Sequence, residues 1–168
     1  MRVAAAAVVA LAGLVAPAVG SAPPKPITPI SPITIHPTGT ATASAVPAMA
    51  GARPVELTLT LRLELKCGRP MSGPIIVVLP AAARVPASIP RAAVRLNGRP
   101  PSGMSVSHHV VGLALPRTTG LSCDVIAPGT LTVVFMRAAG VGNPAAPGTY
   151  PVSLRAGGTT AIAKLIVS

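Results

Sequence analysis

The stretch VELTLTLRLELKC, residues 55–67, decides the fold class. Its odd positions are Val55, Leu57, Leu59, Leu61, Leu63, Leu65 and Cys67; its even positions are Glu56, Thr58, Thr60, Arg62, Glu64 and Lys66. Side chains on a strand alternate between two faces, so this period of two predicts a long strand with one buried and one solvated side. Wound as a helix, the same leucines would point all around the axis. Cys67 continues the inward phase.

Downstream, short apolar runs alternate with turn chemistry. IIVVL (75–79) reads as a fully apolar strand bounded by Pro74 and Pro80. VRLNG (94–98) ends in Asn-Gly, the signature of a hairpin turn. MSVSHHVVGLAL (104–115) reads as two strands or one bent one, and TLTVVFM (130–136) places Leu131, Val133 and Phe135 on one face. TYPVSLR (149–155) and TAIAKLIVS (160–168) flank a tight AGGT turn. Only residues 81–84 and 89–94 tolerate a turn or two of helix. Seven to eight short strands over residues 55–168 predict an all-β domain, an antiparallel β-sandwich.

Upstream the composition changes. Arg2 followed by the apolar run Val3–Val15, and then small residues at Ala16, Ala18, Gly20 and Ala22, has the layout of a secretory signal over residues 1–20. The competing reading is a retained anchor, but Pro17 interrupts a segment already at the short limit for a span. No second apolar stretch follows, so no membrane span is expected after cleavage. Residues 21–54 hold eight prolines (Pro23, Pro24, Pro26, Pro29, Pro32, Pro37, Pro47 and Pro54), with many Thr, Ser and Ala and no acid. Proline at that spacing blocks helix and ladder alike, which predicts a disordered, extended tether.

Two cysteines in an exported chain predict one disulfide, Cys67 to Cys123. Counting strand reversals places the connection after the first strand and the one at 116–129 at the same end of the domain. The 81–93 connection and the 107–110 turn then fall at the other end. A Cys/His metal site lacks any CxxC or HxxxH spacing, and His108 and His109 are adjacent, so on a strand they face opposite ways. The whole chain of 168 residues holds three carboxylates, Glu56, Glu64 and Asp124. That scarcity argues against acid/base catalysis and carboxylate-built metal cages, and a Ser/His/Asp triad would need Asp124 to cross from one end to the other. No enzyme activity, cofactor or metal is expected. Thioethers suit Cu(I), but Met49, Met71, Met104 and Met136 are scattered, so a copper carrier is the weakest alternative.

GPIIVVLP (73–80), VPASIPRAAVRLNGRP (85–100) and APGTLTVVFMRAAGVGNPAAPGTYPVSLRAGG (127–158) together resemble an Ig-like β-sandwich repeat module of bacterial secreted and cell-surface proteins, S-layer-like and adhesin-like chains among them. The ending carries most of the resemblance: Ala139-Gly140-Val141-Gly142-Asn143-Pro144, followed by Gly148-Thr149-Tyr150. It covers about residues 55–168 and implies an Ig-like fold and a secreted or cell-envelope location. It brings no catalytic residues. This copy departs from the module in being single, Arg-rich and provided with two cysteines.

The remaining signal is charge. The chain has a formal net charge of +11, with 14 Lys+Arg against 3 Asp+Glu. Arg84, Arg91, Arg95 and Arg99 cluster in one segment, a candidate contact for a polyanion such as an acidic wall polymer, lipid headgroups or DNA. High Arg, Ala, Gly and Pro also follow from a GC-rich genome without any function. Aromatics are 1% of the chain, so stacking platforms for single-stranded nucleic acid are missing and no specific nucleic-acid partner is expected. The reading that emerges is a non-catalytic structural or interaction module whose partner is an envelope polymer or a surface protein. A secreted polyanion-binding protein working through residues 84–99 is the alternative.

Overall fold

The alternation at residues 55–67 is realised in the computed structural model of the chain as strand β2, Glu56–Arg62, with Leu57, Leu59 and Leu61 buried and Glu56 and Arg62 exposed. The structure describes residues 39–63, 73–115 and 129–168, all within one compact unit, Thr34–Ser168. The region expected to carry the signal, residues 1–20, and the first part of the expected tether lie outside the described residues, as do Cys67 and Cys123.

Nine strands are present among the described residues: β1 (Ala41–Val46), β2, β3 (Ile75–Val78), β4 (Val94–Leu96), β5 (Gly103–Ser107), β6 (Val110–Ala114), β7 (Thr130–Phe135), β8 (Gly148–Ala156) and β9 (Thr159–Val167). They form two antiparallel sheets, one in the order β1-β2-β7-β4 and one in the order β5-β6-β3-β8-β9. The all-β expectation holds, and the 104–115 run is two strands, joined at His108-His109 with His108 at φ 52°. Among the described residues there is no α-helix, and two 3-10 turns are present, Arg91–Ala93 and Arg137–Ala139. No helix of the described residues is long and apolar enough to cross a membrane.

The inner faces of both sheets share one hydrophobic cluster built almost wholly of Leu, Val, Ile and Ala around a single aromatic, Phe135. Each fully buried side chain of this kind contributes about 1.5–3 kcal/mol, so many mid-sized residues replace the few large ones that usually dominate a core. β2 and β7 are the centre of the first sheet, in a register that sets Leu57 opposite Phe135, Leu59 opposite Val133 and Leu61 opposite Leu131.

One element differs from the sequence expectation. Residues 41–46, assigned to the tether of residues 21–54, form β1, paired with β2 along its length from Ala41↔Leu61 to Val46↔Glu56. A period of two is present there, with Ala41, Ala43 and Ala45 turned inward and Thr42, Ser44 and Val46 outward. Alanine gives that alternation little hydropathy contrast, and the flanking prolines, Pro37 and Pro47, sit outside the strand. β1 also joins the two sheets at one side, since the Gly39 N–H donates to the Thr160 carbonyl (3.2 Å) and the Ser168 N–H to that of Ala48 (2.9 Å). The folded unit therefore begins well before residue 55.

Candidate functional site

The arginine segment folds around three backbone anchors. Arg84 exchanges hydrogen bonds with Gly142, N–H to carbonyl at 3.0 and 2.9 Å in the two directions. The Met136 N–H donates to the Ala93 carbonyl (2.9 Å), laying one 3-10 turn beside the other. The Asn97-Gly98 turn, with φ 44° and 81°, closes with paired bonds between Leu96 and Arg99. The four predicted arginines are consequently spread out. Arg84 is exposed at the end of the sheets where β7 finishes, Arg91 at the side between β4 and β5, and Arg99 at the base of the Asn97-Gly98 turn. Arg95 lies on the outer face of the first sheet, opposite Val134.

Two guanidinium groups are partly engaged: Arg91 Nη1 donates to the Ser102 carbonyl (3.1 Å), and Arg95 Nη1 to those of Ala92 (2.7 Å) and Val94 (3.2 Å). The fold adds two cations that the segment alone does not reveal. Arg137 comes from the neighbouring 3-10 turn, and Arg53 packs beside Gly142, where a Cβ would approach the Arg53 side chain to 3.1 Å. Arg53 escaped notice because residues 21–54 read as tether, Arg137 because only the three-dimensional packing of the two turns unites it with Arg91.

Asn143 is the buried polar residue of this end, 2% exposed among the described residues. Its Nδ2 donates to the carbonyls of Pro47 and Met49, both at 2.9 Å, and its N–H to that of Ala52 (3.0 Å). The Asn-Pro of the motif is thus a clamp on the 47–52 loop. His109 Nδ1 is buried without a hydrogen-bond partner, and no group of three His, Cys, Asp or Glu side chains suited to a metal occurs among the described residues. Met104 packs on the core and Met49 is exposed, so these two thioethers do not converge. Asp124 lies outside the described residues. Leu63, the last described residue before the segment holding Cys67, donates its N–H at 2.9 Å to the carbonyl of Gly129, the first described residue after the segment holding Cys123. Both segments therefore leave from one end of the first sheet.

The outer faces of the two sheets differ in kind. On the first, Thr42, Thr60 and Thr132 form a row across three strands, with Ser44, Thr58 and Arg62 around them. On the second, one row runs Ser107, Val110, Val78, Ser153 and Ile162, and the next runs Ser105, Gly112, Ile76, Arg155 and Thr160. Beyond them Pro151 pairs with Lys164 and Thr149 with Ile166. Val78, Val110, Ile162 and Ile166 are 38%, 40%, 47% and 68% exposed, large values for β-branched aliphatic residues on one face. Arg155 and Lys164 are its only charges among the described residues. At one end of this face Gly73, Pro74, Ile76, Arg155, Gly157 and Gly158 line a recess of ≈ 260 Å³.

These features define an all-β protein of two antiparallel sheets packed on one core. No protein-family model matches the sequence, and no curated protein matches it. Among solved structures, the fold is similar to that of BslA, described as a bacterial hydrophobin, with a TM-score of 0.51 and 16% sequence identity over 78% of this chain and 98% of that one. At that identity the likeness speaks for the fold alone.

Proposed function

We propose that this protein is a non-catalytic secreted or cell-surface interaction module, an Ig-like β-sandwich that works through its faces. The observation that carries the reading is the set of exposed aliphatic residues, Val78, Val110, Ile162 and Ile166, standing among Ser, Thr, Arg155 and Lys164 on the outer face of the five-stranded sheet, whose strands hold no carboxylate. An antiparallel sheet exposed to water on one side ordinarily alternates apolar-in and polar-out, as the first sheet does. Four large aliphatic side chains exposed together on one sheet face mark a surface suited to contact. The signal-like residues 1–20 support export. Cell fractionation tests this: the chain is expected in the medium or the envelope, and recovery from the cytosol alone rejects it.

A second reading has its own observation. Packing of the two 3-10 turns sets the turn of Arg137 beside that of Arg91, and Gly142 lies against both Arg53 and Arg84, so exposed cations from separate segments gather in two pairs. A polyanion contact there predicts that R84E/R91E/R137E loses binding to isolated envelope material, and that wild-type binding falls steeply with salt. Binding indifferent to both removes this reading and leaves the first.

A further inference from the structure

The outer face of the five-stranded sheet carries a more specific assignment, which rests on the surface-module reading. β3 is Ile75-Ile76-Val77-Val78 and β6 is Val110-Val111-Gly112-Leu113-Ala114, apolar on both sides. Strands that read as continuous apolar runs are those covered on both faces, yet here only one face meets the core. Gly112 keeps the outer one level: a Cβ there would meet Ser105 Oγ at 2.7 Å and Ile76 Cδ1 at 3.7 Å, so these neighbours lie across the strand. Val110 and Val78 stand in register, and beyond Ser153 the row resumes with Ile162; Ile166 lies four residues further along β9.

The charges on this face choose among occupants. Arg155 and Lys164 rise from β8 and β9 beside Ile162 and Ile166, with no carboxylate on any of the five strands. A second copy packed face to face by a twofold axis would place four cations in one apolar interface without a counter-charge, which like-charge repulsion disfavours. An acceptor that is apolar within and anionic at its boundary satisfies both features: aliphatic side chains enter, while the long Arg and Lys stems lie along apolar surface with their heads at the charged layer. The recess at Arg155 fits the same partner. Its rim includes the Gly157-Gly158 turn (φ 54° and 86°) and Gly73 (φ 87°), which admit an anionic group to the guanidinium without Cβ obstruction. We propose that this face docks on an anionic lipid layer, with Val78, Val110, Ile162 and Ile166 at the acyl boundary and Arg155 and Lys164 on the headgroups.

The chain contains no Trp, so one introduced indole reports its own surroundings. I162W and, as a second reporter, I166W are compared with T60W on the outer face of the first sheet. All three are made in the full-length chain, so the apolar residues near the N-terminus are common to them, and unchanged far-UV circular dichroism shows that each is folded. On vesicles of phosphatidylglycerol and phosphatidylcholine, the I162W and I166W emissions shift to the blue and become shielded from acrylamide. T60W stays unchanged, and vesicles of phosphatidylcholine alone give little response. Adding R155Q/K164Q to I162W raises the lipid needed for half-saturation roughly 30-fold, the effect of removing two headgroup contacts of ordinary strength.

Equal shifts at residues 60 and 162, or none at 162 and 166, overturn the proposal. So does a shift without lipid that grows with protein concentration, which means a second copy. A shift given equally by soluble poly(glycerol phosphate) also overturns it, in favour of a polymer. An envelope-located protein that fails the vesicle test loses this assignment while the surface-module reading stands; a cytosolic protein loses the surface-module reading whatever the vesicles show.

Discussion

Asn143 shows how one side chain organises an end of this molecule. It is nearly fully buried and spends both Nδ2 hydrogens on the carbonyls of Pro47 and Met49. Replacing it with alanine leaves two carbonyls without their donor, and unsatisfied buried groups cost more than the net value of the bonds. N143A is expected to lose about 2 kcal/mol, read as a lower urea midpoint with an unchanged slope. The Asn-Pro pair was legible in sequence as the start of a turn. Its second role was not, because its partners lie more than ninety residues away, in a segment whose proline content reads as tether. The arginines teach the same lesson in reverse. Arg84, Arg91, Arg95 and Arg99 are close in sequence, but strand alternation and a hairpin turn send them to different surfaces, while Arg53 and Arg137 arrive from a distance.

At the scale of elements, strands were legible wherever leucine or valine alternated with threonine or charge. β2 and β7 stand out for that reason, and β8 and β9 through the glycine turn between them. β1 was not, because an inward row of alanines buries too little apolar area to mark a period. Its pairing is nonetheless complete: β1 covers one edge of β2, and the residues flanking it, Gly39 and Ala48, are hydrogen-bonded to Thr160 and Ser168 at the two ends of β9. A chain beginning at residue 39 is expected to match the full chain in denaturant midpoint. One beginning at residue 55 bares the β2 edge and the Ala45 contact, and is expected to be less stable and to aggregate on size-exclusion chromatography. Equal behaviour of the two truncations contradicts a structural role for β1. The outer face of the second sheet was also half legible. The apolar run at 75–79 was recognised as a strand, but a run without alternation does not say which side meets the core.

For the whole molecule, the shared exit of the two cysteine-bearing segments has a consequence for stability. Leu63 and Gly129 are bonded neighbours, with Cys67 four residues beyond the first in sequence and Cys123 six before the second, a spacing that suits the expected pairing. Non-reducing mass spectrometry of the exported protein is expected to show the Cys67–Cys123 link. It would close a loop of about 56 residues and add up to about 4 kcal/mol on the chain-entropy account. Two free thiols in exported material overturn this pairing.

β1 and β9 run in the same direction at the joined side of the two sheets, bonded to each other near residue 39 and again near residue 168. Those two points sit at opposite ends of the strands. Tension applied between them therefore acts along the strand axes, at right angles to the hydrogen bonds of the β1–β2 ladder, and strains the ladder's bonds together instead of one after another. A domain held at residue 39 and gripped near residue 168 is loaded in shear, the direction in which a β-ladder yields last.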